Sequence, residues 1–268
     1  MNPPKTIFKY EPFALRAIQN LKASSVHFGP PSNFNDPYDC ALTASIADTS
    51  HDELEQLRTE ALTSTAYPQQ ARDAIPDLTL EEFETQIRRG AQLALDQIRD
   101  DFLQTSGVTC FSETNNNLLM WSHYGGKYKG FCLEFFTDFE PFNKLQKVHY
   151  ANKLPQFQLS DFIRNENHAK LMDLFCTKSS AWAYEKEWRA LHNEAGTLFS
   201  YEREALKAIY FGPDINTQDR DLLCLIMNGQ FPDAELWIGS RSSAAFIIEF
   251  EKAPNYLPYA EARRRGLA

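Results

Sequence analysis

The sequence predicts an α+β fold: a mainly antiparallel split sheet with flanking helices and an inserted helical subdomain. Three observations predict it. Short β-branched and aromatic runs recur along the chain, from Thr6–Tyr10 to Phe246–Phe250. Helical stretches are interspersed among them without strict βαβ alternation, and several strand pairs are close enough for antiparallel connection. Between His51 and Ser106 the texture becomes sustained helical spacing. The 268 residues read as a single α+β domain over 1–268, with a helical insertion over 51–106.

Taken in order, Thr6 to Tyr10 suits a short strand. A helix is expected from Pro12 to Asn20, with proline in its first turn and Phe13, Ala14, Ala17 and Ile18 on one face. Ser25 to Phe28 reads as a strand stopped by Gly29-Pro30-Pro31. Within the insertion, Leu54, Leu57, Ala61 and Leu62 share one helical face. Phe83, Ile87, Ala91, Ala94, Leu95, Ile98 and Phe102 share another, begun by a Thr79 cap and the acids Glu81 and Glu82.

Beyond Gly107, Val108–Ser112 is a strand, Asn115–Asn117 a turn or helix start, and Leu118–Tyr124 one or two helical turns. Phe131–Phe135 and Lys147–Tyr150 are strands, and Asp161–Ser179 is helical. Trp188–His192, Ala208–Phe211, Leu236–Ile238 and Phe246–Phe250 close the sheet, with a helix over Asp214–Asn228.

Hydrophobic residues at 43% and charged residues at 24% exclude wholesale disorder. A net charge of −9 argues against a large non-specific hold on a phosphate backbone, although a local basic cleft is compatible with it. The five cysteines form no CxxC pair, which fits thiols in a reducing compartment. The N-terminus has no apolar h-region and no apolar run approaches membrane-spanning length. A cytoplasmic location with no membrane partner is therefore expected. The six histidines show no metal-ligand spacing, and no phosphate loop, HExxH or GxSxG motif is present.

Four stretches stand out from an ordinary core; one, Ala208 to Pro213, reads chiefly as a core strand with a sharp end, and the other three carry candidate chemistry. In Asn33–Asp39, Asn35 and Asp36 either build a structured turn or order a ligand-facing loop. In Trp121-Ser122-His123-Tyr124-Gly125-Gly126, polar-tipped rings precede glycines that allow close approach of a ligand. The same residues also suit a capped helix end over a buried Trp121. In Lys178–Arg189, a strand would put Glu185, Glu187 and Arg189 on one face, as an ion-pair ladder or as a ligand-polarising carboxylate.

The ordered set PPSNFNDPYDC, CFSE, LMWSHYGGKYKGFCLEF, WAYEKEWR and AIYFG resembles the bacterial domain-of-unknown-function family 2971, over about Phe8 to Gly239. That family carries no established chemistry. More distantly, the order of elements resembles ADP-ribosyltransferases. This second resemblance implies an enzyme that cleaves the nicotinamide glycosidic bond of NAD and transfers ADP-ribose to a protein or nucleic-acid acceptor, in bacterial conflict or phage defence. It implies Tyr10 and Tyr124 as an aromatic clamp, with Ser122 and His123 as polar contacts and Trp121 beside them. Glu187 would be the catalytic carboxylate and Glu185 its assistant. Lys178 and Arg189 would meet the pyrophosphate, and Asn35 and Asp36 would shape the rim. Three other readings stay open: a module that binds a nucleotide-like small molecule without turnover, a metal-dependent nuclease-type effector whose paired acids hold Mg²⁺, and a structural interaction protein with the helical insertion as its docking face.

Overall fold

The computed structural model describes residues 2–40, 44–65, 67–164, 168–253 and 264–266. The chain begins with β1 (Thr6–Glu11), α1 (Leu15–Lys22) and β2 (Ser25–His27), then β3 (Ser45–Ile46). The helices α2 (His51–Ala61), α3 (Gln69–Ala74) and α4 (Leu80–Thr105) follow. Next come β4 (Gly107–Ser112), α5 (Leu118–His123), β5 (Phe131–Phe136), β6 (Gln146–Lys147), β7 (His149–Ala151) and β8 (Gln156–Phe157). They lead to α6 (Leu159–Ile163), α7 (His168–Phe175), β9 (Thr177–Ser179), β10 (Glu187–His192) and β11 (Leu198–Ser200). The last elements are β12 (Leu206–Phe211), α8 (Thr217–Gln230), β13 (Glu235–Arg241) and β14 (Ile248–Lys252).

These elements form two compact units. One comprises residues 1–29, 107–148 and 181–268, and the other 30–106 and 149–180. Residues 51–106 thus belong to a unit that also includes 30–50 and 149–180.

The first unit is built on an eight-stranded sheet in the order β14-β13-β12-β5-β1-β4-β10-β6. All its pairings are antiparallel except β12 with β13, which run parallel across the α8 crossover. The mainly antiparallel α+β expectation is borne out. Alternation assigns the two faces of the sheet. Ile7, Phe111, Phe131, Leu133, Phe135, Trp188, Ile209 and Phe211 pack with Ala17 and Leu21 of α1 and with Leu223, Cys224 and Met227 of α8. Tyr10, Cys132, Ala208 and Tyr210 pack with Met120 and Trp121 of α5.

In the second unit, α2 offers Leu54, Leu57 and Ala61, and α4 offers Phe83, Ile87 and Ala91, to one core completed by Leu159 and Ile163 of α6. The helix start at Thr79 is as expected and stronger: Thr79 accepts from the Glu82 amide, while Glu82 accepts from the Thr79 amide. Ala94 and Leu62, expected on the buried faces, are exposed.

Several local expectations are corrected. α1 starts at Leu15 rather than Pro12, because Glu11 is still paired with Phe131 in the sheet and Ala14 is extended. The strand expected over 147–150 divides at Val148: its amide bonds Glu187 O, whereas the His149 amide bonds Cys176 O. The helix expected over 161–179 ends at Phe175, because Thr177–Ser179 pairs with His149–Ala151 as β9. Within that span, residues 165–167 lie outside the described residues. Ser180–Glu185 is a 3-10 helix rather than strand.

The loop after α5 is tightly constrained. Gly126, Lys127 and Tyr128 adopt consecutive left-handed φ values of +58°, +55° and +69°. For the two residues with a Cβ this costs roughly 1–2 kcal/mol each. The amide of Tyr128 bonds Trp121 O, that of Gly130 bonds Gly125 O, and that of Asp214 bonds Tyr128 O. A Cβ on Gly130 would lie 2.1 Å from Glu11 O and 2.9 Å from Gly125 O, both main-chain atoms. Gly130→Ala is therefore expected to destabilise by about 1–3 kcal/mol, as overpacking does. A urea midpoint equal to wild type would contradict that.

Candidate functional site

The site is built on the sheet face that carries Tyr10. Cross-strand register aligns Phe8 of β1, Ser112 of β4 and Glu187 of β10 in one row, so their side chains share a face. Above this face, α5 is started by Asn117, whose side chain accepts from the amides of Leu119 and Met120. One helical turn then places Trp121 inward and His123 outward. Trp121 is 0% exposed and its indole donates to Asn115 O at 2.7 Å. Tyr10 meets it edge-on at 5.2 Å between ring centroids and donates its hydroxyl to Thr114 O at 2.8 Å. Burial, reinforced by nearby Cys132, holds the Tyr10 hydroxyl well above the ordinary phenol range, so it remains a protonated donor.

The 3-10 turn Ser180–Glu185 supplies the other wall. Its last residue, Glu185, is 2% exposed. The Tyr124 hydroxyl donates to Glu185 Oε1 at 2.6 Å, and Ser112 Oγ donates to Glu185 O at 2.6 Å. The next residue, Lys186, takes φ +46°, a left-handed kink that turns the chain into β10. Because of that kink, Glu185 and Glu187 are not alternate residues of one strand, as the sequence implied, yet both are buried.

Glu187 has a different role from Glu185. Arg189, two residues on and 0% exposed, donates Nε to Oε1 at 2.7 Å and an Nη to Oε2 at 3.0 Å. This bidentate pair is the ion-pair ladder that the spacing allowed. Both carboxylate oxygens of Glu187 thus have a fixed cationic partner.

At the rim, His123 Nδ1 lies 3.0 Å from the Tyr184 hydroxyl. The His123 ring is 6.3 Å from Trp182 and 6.2 Å from Tyr184, and Trp182 and Tyr184 are 6.0 Å apart. His123 is exposed, whereas Trp182, Tyr184 and Tyr124 are partly buried. This is a surface on which a flat ring could stack, and it is joined by the peptide chain to a buried carboxylate. Ser122 is half-buried beside it.

The remaining expected residues, Lys178, Asn35 and Asp36, belong to the second unit. Lys178 lies on β9 and pairs with Asp39 at 3.1 Å, both buried. Asp36 accepts from the Tyr38 amide at 2.9 Å, the turn geometry that the Asn-Asp-Pro run implied, and Asn35 is exposed. Lys178 and Arg189 are each held by a carboxylate of their own unit, so neither is presented as a ready donor to a pyrophosphate. Ser112, Asn117, Asp39, Trp182 and Tyr184 were missed. The NNN run and the WAY spacing were visible, but their partners lie 67 and 61 positions away.

On the opposite side of β10, Glu113 accepts from Trp188 Nε1 at 2.9 Å and from Lys147 at 3.2 Å. Burial works against the Glu113 charge, but these two donors outweigh it and hold its carboxyl below the usual 4.5. A depressed folded-state value contributes stability above the unfolded value, and that contribution is lost as pH falls through the folded value. The stability gap between wild type and Glu113→Gln is therefore expected to close as pH falls below about 4.3, the unfolded-state value, and on through the lower folded-state value. Urea titrations across that range check it, and a gap that widened on acidification would refute it.

Among the described residues, no group of three or more His, Cys, Asp or Glu side chains is arranged to hold a metal ion. Among them, too, no helix is long and apolar enough to cross a membrane. Residues 120–190 match the model of a family described as a protein of unknown function, DUF2971. The family resemblance read from the motifs is borne out over that stretch, which contains α5 from Met120 onward, the glycine loop, Glu185, Glu187 and Arg189. No curated protein and no solved structure matches the chain significantly.

Proposed function

We propose that the sheet unit binds NAD and cleaves its nicotinamide glycosidic bond, passing ADP-ribose to an acceptor. The observation that supports this reading is the Tyr124–Glu185 hydrogen bond at 2.6 Å, formed beside the His123–Trp182–Tyr184 rings. In the reaction the bond from ribose C1′ to the nicotinamide nitrogen breaks and its electron pair leaves with nicotinamide. The acceptor nucleophile bonds C1′ and gives up its proton. Positive charge develops on the ribose, and a carboxylate fixed in a water-poor site stabilises that charge more than it stabilises the ground state.

Glu185 takes the role of this carboxylate because the Tyr124 hydroxyl fixes it beside the rim rings, whereas Glu187 is held in a bidentate pair with Arg189. Tyr124 orients Glu185, and the tilted rim rings hold the leaving nicotinamide, one by its face and its neighbours by their edges. Tyr10 and Trp121 support α5 from within rather than clamp the ligand. The reading includes a cytoplasmic setting, where NAD is available and cysteines remain thiols.

The test is release of labelled nicotinamide from NAD by the purified full chain, with Glu185→Gln as the variant. Release by wild type and its loss in the variant are expected. A folded wild type that releases none, with protein and nucleic-acid acceptors supplied, sinks the reading.

A further inference from the structure

We propose that the left-handed turn Gly126–Tyr128, with Lys127 on it and Lys129 directly after it, forms a docking element for linked phosphate groups. This goes beyond the transfer reaction and stands without it. The starting observation is the backbone. Lys127 and Tyr128 both hold positive φ, at +55° and +69°, where glycine would sit without strain. The surrounding structure imposes the conformation. The Tyr128 hydroxyl donates to Leu118 O at 3.1 Å, the Gly212 amide to Gly130 O at 2.9 Å and the Asp214 amide to Tyr128 O at 3.0 Å. A Cβ on Gly212 would meet Tyr128 O at 2.2 Å, so that strand end is closed tightly against the turn. Strain held this firmly points to a use for what the turn displays.

It displays positive charge. Lys127 and Lys129 are exposed, and among the described residues neither makes an ion pair or a side-chain hydrogen bond. A third cation, Arg241, lies over the Tyr128 ring at 5.4 Å. Asp214 holds Arg241 through two bonds of 2.8 and 2.5 Å, and Arg241 remains largely exposed. The Arg241 hydrogen bonds keep the Asp214 carboxyl below its ordinary range, and Lys129 adds to the effect, so Lys129 is within electrostatic reach of the pair. Arg241 and Lys129 thus act on Asp214 beside a turn that also carries Lys127, in a chain whose net charge is −9. Arg241, already ordered by Asp214, loses little freedom on binding, and charge-assisted bonds to phosphate oxygens are the strong ones.

Linked phosphates come from two sources, the pyrophosphate of a free nucleotide and the backbone of a single nucleic-acid strand. The test uses a probe for each: calorimetry with inorganic pyrophosphate, and fluorescence anisotropy with a labelled oligothymidylate of about a dozen nucleotides. Wild type is expected to bind at least one probe. Lys127→Gly and Lys129→Gln should each weaken binding at least about fivefold, and each should reduce the salt slope for the strand by about 0.7. Lys127→Gly should melt no lower than wild type, because glycine accepts that φ, which separates the loss from misfolding. A Lys22→Gln/Lys153→Gln double variant, remote in sequence and losing two charges, should retain affinity. Binding of pyrophosphate alone assigns a nucleotide, and binding of the strand assigns its backbone. The proposal is overturned if wild type binds neither probe, if the remote double variant loses as much, or if Lys127→Gly and Lys129→Gln bind like wild type.

Discussion

Replacing Arg189 by methionine is expected to cost about 3–5 kcal/mol of stability, the range for leaving a buried charge without its partner. Arg189 and Glu187 are 0% and 4% exposed and are joined by bonds of 2.7 and 3.0 Å. They sit at alternate positions of β10, where Glu187 pairs in register with Ser112 and Arg189 with Cys110. Removing the guanidinium would leave a carboxylate that water does not reach. Arg189→Lys should recover only part of the loss, since an ammonium is a point charge and cannot reproduce the planar fork. The double variant Glu187→Leu/Arg189→Met should recover most of it, because it removes the stranded charge along with its partner. Urea unfolding of the four proteins measures this. A single Arg189→Met variant as stable as wild type would show that the pair carries no such weight.

The second large effect is chemical. Glu185→Gln is expected to lower nicotinamide release by about 100- to 1,000-fold, the typical range for removing one preorganised electrostatic group. The substitution keeps the shape of the side chain and an oxygen that can accept from Tyr124, so the fold should survive it. Tyr124→Phe removes the donor at 2.6 Å but leaves the acid. Its loss should be smaller, about 10-fold, as for one hydrogen bond to a charged group. Glu187→Gln should chiefly lower stability, since it disturbs the Arg189 pair. If Glu187→Gln abolished release while Glu185→Gln did not, the roles of the two acids would have to be exchanged.

Much of the architecture was legible because it follows from local pattern. The largely apolar run Phe131–Phe135 after Gly130 marks a strand, and the structure buries it on both faces. The Thr79 cap and the spacing of Phe83, Ile87 and Ala91 marked α4. The errors came where pairing at long range decided the outcome. Lys147–Tyr150 alternates like one strand, but its halves bond to Glu187 and Cys176, 39 and 27 positions away from the donors. Thr177–Ser179 continues a helical pattern and became strand, because β7 offered it a ladder.

The candidate site divides in the same way. The residue types could be read: an acid pair two apart, a ring-rich turn and a glycine-rich loop. Periodicity could not tell which acid meets a tyrosine and which meets an arginine. That was decided by the left-handed φ of Lys186, which breaks the alternation between Glu185 and Glu187. It was decided also by Ser112, which bonds the Glu185 carbonyl from 73 positions away.

By itself, the amino-acid order determined the class of fold, most of its elements and the segments rich in functional groups. Those features depend on side-chain size, polarity and spacing within a few turns of chain. The tertiary structure alone decided which charges neutralise one another and which rings surround a carboxylate. Burial and hydrogen-bond geometry depend on neighbours that are distant in the chain and become adjacent only once the sheet has closed.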